Sequence, residues 1–282
     1  MALLRWHLRD RVIEFGSQPL VMGIVNLTPD SFSDGGKILN SPAAVDYALK
    51  LAAEGADILD LGGESTRPGA EHVPLNVELR RVLPVLEKLA RSSQVPISVD
   101  TMKPEVARAC LEAGASIVND VSGFREPGMI AAAAEHRAGV IVMHMQGTPQ
   151  TMQRHPHYKN VVRELKEFFE ERLRVLEESG IRREAVCIDP GIGFGKTLEH
   201  NLTLLANLQA FAQFGCPVCL GVSRKGFIGR LCGREKDDRM PGSLAVACFA
   251  AARGEAHVIR THEVAATRDA AVLLEAIDRY RR

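Results

Sequence analysis

The chain has 282 residues, of which 46% are hydrophobic and 25% charged, the profile of a globular protein with a substantial buried core. Lys plus Arg and Asp plus Glu both number 35, so no global field favours a nucleic acid or an anionic membrane, and any anion site must be local. The longest apolar runs, such as residues 242–252, are too short to span a bilayer, and residues 1–10 lack the apolar core of a signal peptide. We therefore expect a cytoplasmic protein that binds neither nucleic acid nor membrane.

Short apolar runs alternate along the chain with longer amphipathic stretches, which is the rhythm of repeated βα units. Predicted strands are Leu20–Val25, Ile58–Leu61, Ile97–Val99, Ser116–Val118, Gly139–Met143, Ala185–Ile188, Val218–Val222 and His257–Ile259. Predicted helices are Pro42–Glu54, Asn76–Ala90, Pro104–Ala113, Pro127–Arg137, Tyr158–Ser179, Leu198–Phe211, Ser243–Arg253 and Val264–Arg281. Proline at the first turn of several helices and glycine just after others support these boundaries.

Eight βα units without a Ser/Gly-rich linker predict a single-domain (β/α)8 TIM barrel, an α/β fold. A doubly wound open sheet is the competing architecture. Residues 3–15 alternate well enough to form a short hairpin that plugs the barrel bottom, so we divide the chain into an N-terminal segment, residues 1–19, and the barrel, residues 20–282. Cys216 and Cys219 have C-x-x-C spacing, but they run into an apolar strand and no second pair completes a zinc site, so we expect reduced, structural thiols.

Each predicted strand ends in polar residues, and in a TIM barrel the strand ends form the active-site face. These residues are Asn26 with the turn-rich Thr28–Gly36, Gly62–Gly69, Asp100, Asn119, His144, Asp189–Lys196, Ser223–Gly226 and Arg260–His262. Isolated carboxylates at a barrel mouth are costly unless they are paired or used. Asp60 and Asp120 are the two that we assign to the scaffold, as capping or structural charges.

Basic side chains gather in the strand-end loops of this otherwise neutral chain: Arg67, Arg224, Lys225, Arg260 and His262. Guanidinium groups suit phosphate oxygens, so a phosphorylated substrate is indicated, with surface cations that bind no ligand as the alternative. The glycine-rich segment 191–197 misses the P-loop pattern by one residue and lacks the last glycine of a dinucleotide fingerprint. Nucleotide binding is therefore disfavoured.

Five motifs, in order and at compatible spacing, resemble the dihydropteroate synthase family of pterin-binding barrels: Met22–Gly36, Gly62–Gly69, Asp189–Lys196, Gly221–Gly226 and Arg260–His262. Glu263 departs from the family pattern, in which Asp or Asn is more usual. The resemblance implies that p-aminobenzoate displaces diphosphate from 6-hydroxymethyl-7,8-dihydropterin diphosphate, giving 7,8-dihydropteroate. It also implies Mg²⁺ as cofactor, a homodimer, and mobile first and second loops that close over the second substrate.

Site residues are carried over from the resemblance by position in this chain. Pterin readers would be Asp100, Asn119, Asp189 and Lys225; diphosphate residues would be Asn26, Arg67, Arg260 and His262, with Asn26 also the metal ligand. The p-aminobenzoate pocket would comprise Thr66, Pro68, Phe194 and Ser223. Lys225, Arg260 and His262 would be catalytic. The alternatives are a non-catalytic pterin-binding paralogue and a methyltetrahydrofolate–corrinoid methyltransferase, for which no D-x-H-x-x-G corrinoid signature is present.

Overall fold

The computed structural model describes residues 4–28 and 41–280, and its main sheet is a barrel of eight parallel strands. The hairpin strands are β1 (Arg5–His7) and β2 (Val12–Glu14); the barrel strands are β3 (Leu20–Asn26), β4 (Ile58–Gly62), β5 (Ile97–Asp100), β6 (Ile117–Asp120), β7 (Gly139–Met143), β8 (Val186–Asp189), β9 (Cys219–Gly221) and β10 (Val258–Thr261). Neighbours follow the chain from β3 to β8, and β10 lies between β3 and β9. A parallel bridge between Ile188 and Val218 joins β8 to the β9 side. The predicted TIM barrel is therefore confirmed, and the open-sheet alternative is wrong.

Helices cover the outside of the barrel and follow the strands in sequence. They are α1 (Ser41–Ala53), α2 (Leu75–Ser92), α3 (Pro104–Glu112), α4 (Pro127–Glu135), α5 (Val161–Glu178), α6 (Leu198–Ala206), α7 (Gly226–Cys232), α8 (Met240–Ala252) and α9 (Val264–Asp278). The short α7 was not predicted, and the helix predicted over 198–211 ends at Ala206 and continues as a 3-10 helix, Leu208–Phe214. Gly114, predicted to follow a helix, has φ +116°, a conformation that favours glycine.

The predicted N-terminal hairpin is present, and it closes the bottom of the barrel. β1 and β2 pair antiparallel, and Trp6 is fully buried with its indole nitrogen donating to the Ala185 carbonyl at 2.9 Å. The apolar cluster there joins hairpin and strand residues: Trp6, Leu8, Phe15, Met22, Ile58, Ile117, Ile141, Cys187, Cys219 and Val258. The division into residues 1–19 and 20–282 stays a prediction. Because the hairpin and this apolar cluster fill the bottom of the barrel, a ligand-binding cleft inside the barrel can open only at the opposite end.

All six cysteines are free, and burial raises the pKa of the Cys216 thiol to about 12 and that of Cys219 well above its ordinary value. None of the helices within residues 41–280 is both long and apolar enough to cross a membrane.

Candidate active site

The two-residue periodicity of the strands determines which side chains enter the barrel. In β10, Val258 belongs to the bottom apolar layer, whereas Arg260 and, just after the strand, His262 line the cleft at the carboxyl ends of the strands. In β4, Ile58 lies in the same bottom layer, and Asp60 comes next above it, fully buried. The barrel interior thus changes from apolar to charged within two residues along each of these strands.

One cleft of about 710 Å³ opens at this end, a size suited to small organic ligands. It brings together every site residue predicted from the sequence: Asn26, Thr66, Arg67, Pro68, Asp100, Asn119, Asp189, Phe194, Ser223, Lys225, Arg260 and His262. The predicted loop at Thr28–Gly36 lies, beyond Thr28, outside the described residues. The cleft has a buried floor and a more exposed mouth.

A shared ion pair forms one side of the floor. Arg260 donates to Asp60 Oδ2 at 2.6 Å and to Asp100 Oδ2 at 2.8 Å, and Asn119 donates to the same Asp60 oxygen at 3.2 Å. Burial raises the pKa of Asp100 to about 7; Arg260 opposes this rise and the neighbouring Asp60 adds to it. Asp100 Oδ1 is buried without a hydrogen-bond partner among the described residues. An unsatisfied acceptor thus lies at the bottom of the cleft.

Asp189 and Lys225 form the other side. Asp189 Oδ1 accepts from the Gly191 amide at 2.7 Å, while Lys225 donates to the Ile192 carbonyl and its Nζ lies 4.6 Å from the centre of the Phe194 ring. Burial raises the pKa of Asp189, an effect that Lys225 opposes. Burial lowers the pKa of Lys225 to about 8, against the opposing effect of Asp189. Asp189 Oδ2 has no hydrogen bond within the described residues, so this carboxylate also offers an acceptor to a ligand.

His262 is held at the mouth by a hydrogen-bond chain. Its Nδ1 lies 2.8 Å from Ser223 Oγ, which donates to Glu263 Oε2 at 3.0 Å, and its Nε2 lies 3.5 Å from Asn26 Nδ2. Burial and then the nearby cations, with Arg260 first, lower the pKa of His262 to about 3. The imidazole is therefore neutral at neutral pH in the free protein.

The second loop, between β4 and α2, carries Thr66, Arg67 and Pro68 to the mouth. It is anchored by Glu64, which accepts from the Val73 amide at 2.8 Å and forms an ion pair with Lys103. Lys103 also lies 2.6 Å from the fully buried Glu78. Arg67 itself is exposed, which places its guanidinium where a charged ligand can reach it.

Four supporting residues were not recognised as such in the sequence: Asp60, Lys196, Lys103 and Glu263. Asp60 was assigned to the scaffold, yet it binds both Arg260 and Asn119. Asp120 does serve the scaffold, because it accepts from the Ser122 and Phe124 amides at 2.7 and 2.8 Å. Lys196, from the near-P-loop segment, is buried and hydrogen-bonded to backbone carbonyls, which makes it unsuitable as a phosphate ligand.

Asn26 is the only predicted metal ligand. Its amide nitrogen faces His262, and its Oδ1 makes no hydrogen bond within the described residues. Across residues 4–28 and 41–280, no group of three or more His, Cys, Asp or Glu is placed to hold a metal ion. A lone amide oxygen fits a hard cation that brings most of its other ligands with it.

Comparisons of the sequence and of the fold with known proteins both lead to pterin-binding enzymes. A family model described as "Pterin binding enzyme" matches residues 22–262. The dihydropteroate synthase of Escherichia coli K12 is 49% identical over 260 residues, covering 92% of each chain. Among solved structures, a Yersinia pestis dihydropteroate synthase in a sulfonamide drug complex superposes with TM-score 0.93 at 41% identity, covering 98% of this chain and 99% of that one.

A second solved relative, from Xanthomonas albilineans, was determined with 4-aminobenzoic acid. It superposes with TM-score 0.91 at 48% identity and covers 98% of this chain and 99% of its own. The same organism's enzyme has also been solved with 7,8-dihydropteroate, at TM-score 0.86 and 46% identity, over 97% of this chain and 98% of that one. The chain therefore belongs to the dihydropteroate synthase family of pterin-binding enzymes.

Proposed function

We propose that the chain catalyses the synthesis of 7,8-dihydropteroate, as a transferase of folate biosynthesis. The arylamine nitrogen of p-aminobenzoate forms a bond to the methylene carbon of the pterin diphosphate, and the carbon–oxygen bond breaks with its electron pair leaving on diphosphate. The proton of the resulting arylammonium goes to water or diphosphate. The observation that carries this proposal is a single cleft with unpaired carboxylate acceptors at its floor and cationic groups at its mouth.

The floor fits the pterin ring. The amidine-like edge of a pterin presents adjacent N–H donors, which a carboxylate accepts well. Asp100 Oδ1 and Asp189 Oδ2 are the free acceptors here, and the Asn119 amide and the Lys225 ammonium can bond the ring's remaining polar atoms. The pterin therefore binds deep in the cleft, with its methylene carbon directed to the mouth.

The mouth fits the departing diphosphate. Arg67, His262 and Asn26 line it, and Arg260 rises from the floor beneath them. Negative charge develops on the leaving oxygen as the bond breaks, and donors that are already held in place, as Arg260 and His262 are, stabilise it without reorganisation. Because the ring can share the positive charge of the departing carbon, the displacement needs no strong general base. Lys225, Arg260 and His262 are the catalytic residues in this scheme.

The p-aminobenzoate pocket is assigned to Thr66, Pro68, Phe194 and Ser223, which all line the same cleft. Phe194 lies against the Lys225 ammonium, so this pocket adjoins the pterin floor. The solved Xanthomonas relatives with 4-aminobenzoic acid and 7,8-dihydropteroate support both ligands for this cleft.

Mg²⁺ is the cofactor that we propose, with Asn26 as its protein ligand through Oδ1. The free Oδ1 fits this role, and diphosphate oxygens and water would complete the shell. Bound there, the ion would neutralise charge on the leaving group. Calorimetry should then show weak Mg²⁺ binding to the free protein and much tighter binding once diphosphate is present.

The decisive experiment supplies the pterin diphosphate, p-aminobenzoate and Mg²⁺ and follows both products. Diphosphate and 7,8-dihydropteroate should appear in equal amounts, and neither should form when either substrate is omitted. Pterin binding without turnover would support the non-catalytic paralogue instead.

Two further features belong to this proposal. We propose a cytoplasmic enzyme, and the six free cysteines support a reducing compartment. We also propose a homodimer, because α8 and α9 are neighbours that leave large apolar side chains exposed, including Phe249, Leu273 and Ile277.

A further inference from the structure

The cations that line the cleft differ in how far carboxylates already neutralise them. Arg260 is shared by Asp60 and Asp100. Arg224 lies 2.5 Å from Glu263 and 3.4 Å from Asp237. These paired cations have less charge to offer a polyanion than their number suggests.

Several cations that line the cleft have no carboxylate within ion-pair distance among the described residues, and two of these, Arg67 and Lys236, lie near His262. The side chains of Arg67, in the second loop, and Lys236, in the 3-10 turn Lys236–Arg239 between α7 and α8, make no hydrogen bond or ion pair within the described residues. Asp237, next to Lys236 in the chain, lies 3.4 Å from an Arg224 nitrogen, and its charge raises the pKa of Lys236 only against the larger effects of burial and Arg67. Both free cations are exposed, so an incoming ligand can reach them.

Lys236 is also close enough to the diphosphate residues to act with them. Burial and then Arg67 lower the pKa of Lys236, and Lys236 is among the cations that lower the pKa of His262. Three separate elements thus bring the exposed cations Arg67 and Lys236 close to the neutral imidazole of His262. The two like charges repel each other until a negatively charged group binds.

We propose that Lys236 is a further diphosphate-binding residue of this cleft, acting with Arg67 and His262. This inference rests on the proposed function, since it assumes that a pterin diphosphate is the substrate. Lys236 lies outside all the motifs that carried the family resemblance, and its ammonium acts as a compact point charge on the outer phosphate rather than as a bidentate ligand. It would leave the pterin ring and p-aminobenzoate untouched.

The test compares Lys236→Ala with the charge-retaining Lys236→Arg and with Arg234→Ala, which removes an exposed charge from the same loop but does not line the cleft. Calorimetry measures the binding of inorganic diphosphate with Mg²⁺, and separately of uncharged 6-hydroxymethyl-7,8-dihydropterin. For Lys236→Ala we expect about tenfold weaker diphosphate binding, equal to 1.4 kcal/mol, and pterin binding within about twofold of the original. Lys236→Arg and Arg234→Ala should both bind diphosphate within about threefold of the original chain.

Unchanged diphosphate binding in Lys236→Ala, or equal losses for both ligands, would overturn this inference alone. A raised KM for p-aminobenzoate with unchanged diphosphate affinity would also overturn it, because the lysine would then bind the carboxylate of the second substrate. If the unaltered chain binds the pterin but no diphosphate, the proposed function fails as well.

Discussion

Asp60 and Asp100 share the guanidinium of Arg260, with an oxygen of each carboxylate within 2.8 Å of it, so one cation serves two buried anions. Burial raises the pKa of Asp100 from 3.8 to about 7. A group with a raised folded-state pKa binds more protons in the folded than in the unfolded state between these values. The stability that it contributes is present in full below about pH 4 and is lost as the pH rises through 7.

Replacing Asp100 with Asn should remove this titration. At pH 8 the Asp100→Asn variant should be at least as stable as the original chain. Between pH 4 and 7 its free energy of unfolding should decrease less than that of the original chain, because Asp100 no longer titrates. Binding of 6-hydroxymethyl-7,8-dihydropterin should fall at least about tenfold, because a charged acceptor is lost. Urea unfolding at several pH values and calorimetry measure the two effects.

Asp120→Asn is the matched control, because Asp120 accepts three hydrogen bonds in its loop, from Ser122 N, Ser122 Oγ and Phe124 N, and does not line the cleft. It should lose stability by about 1–3 kcal/mol and keep its pterin affinity. If the two variants behave alike, Asp100 has no special part in pterin binding.

His262 should gain a proton when diphosphate binds. Burial and then repulsion of the imidazolium by Arg260, Arg224 and Arg67 lower its pKa to about 3, and the charge of diphosphate offsets the repulsion. Calorimetry in buffers of different ionisation enthalpy should show proton uptake that increases as the pH falls from 8 to 6. His262→Gln supplies the correction for the protons of diphosphate itself, and equal proton counts for the two proteins would contradict the prediction.

The side-chain direction of each strand residue explains which roles were predictable from the sequence. Asp60 is two residues after the inward Ile58 and therefore points into the barrel, whereas Asp120 follows the inward Asn119 and points outward. Counting the two-residue period of the strands would have assigned different roles to Asp60 and Asp120, which the sequence analysis placed together in the scaffold. Lys236 had no comparable signal, because it follows no strand and belongs to no motif.

Two of the loops that carry the predicted p-aminobenzoate pocket are each anchored by a lysine, which is half-buried in the first loop and buried in the second. Lys103 holds the loop after β4 through Glu64. In the loop after β8, Lys196 Nζ lies 2.9, 3.0 and 3.2 Å from the carbonyls of Gly191, Phe194 and His144. Burial lowers the pKa of Lys196 well below its ordinary value, and the carbonyls compensate for its desolvation.

Lys196→Met should destabilise the protein by about 2–4 kcal/mol, because it leaves several buried carbonyls unsatisfied. The loosened loop should raise the KM for p-aminobenzoate more than it weakens pterin binding, since Phe194 lies in that loop. Denaturant unfolding and steady-state kinetics measure these effects. Lys225→Met, which removes the other lysine beside Phe194, should show the reverse pattern: a small stability loss and a large loss of pterin affinity.

The sequence predicted that most helices and strands of the barrel exist, but it predicted less well where a helix ends or is divided in two. Buried parallel strands read as short apolar runs, and proline and glycine marked the helix ends. Helix α7 escaped because it has seven residues and contains Gly226 and Gly229, too short and too glycine-rich for a helical period. The turn to 3-10 geometry after Ala206 leaves no mark in the apolar pattern, which continues through Phe211 and Phe214.

At the scale of the whole molecule, the barrel separates stability from chemistry along its axis. The hairpin and the bottom apolar layer close one end, and the charged layer and the cleft occupy the other. The outer face of α8 and α9 belongs to neither. Phe249, Leu273 and Ile277 are 47%, 62% and 67% exposed there. Helix α8 is apolar on all sides, as is normal for a helix covered on all sides.

Two copies of the chain joined through this face would cover it, since a two-fold interface uses the same surface on both partners. Light scattering after size exclusion should therefore give twice the chain mass of 30.8 kDa, and Phe249→Glu or Ile277→Glu should shift the protein to the single-chain mass. Because burial of a charge against a second copy is costly, the shift should exceed tenfold in the dissociation constant. Glu170→Lys, on the exposed polar face of α5, is the control and should stay dimeric. The melting temperature of the unaltered chain should rise with protein concentration, and that of the charged variants should not. A single-chain mass for the unaltered protein would show that α8 and α9 stay uncovered, and the homodimer would then be abandoned.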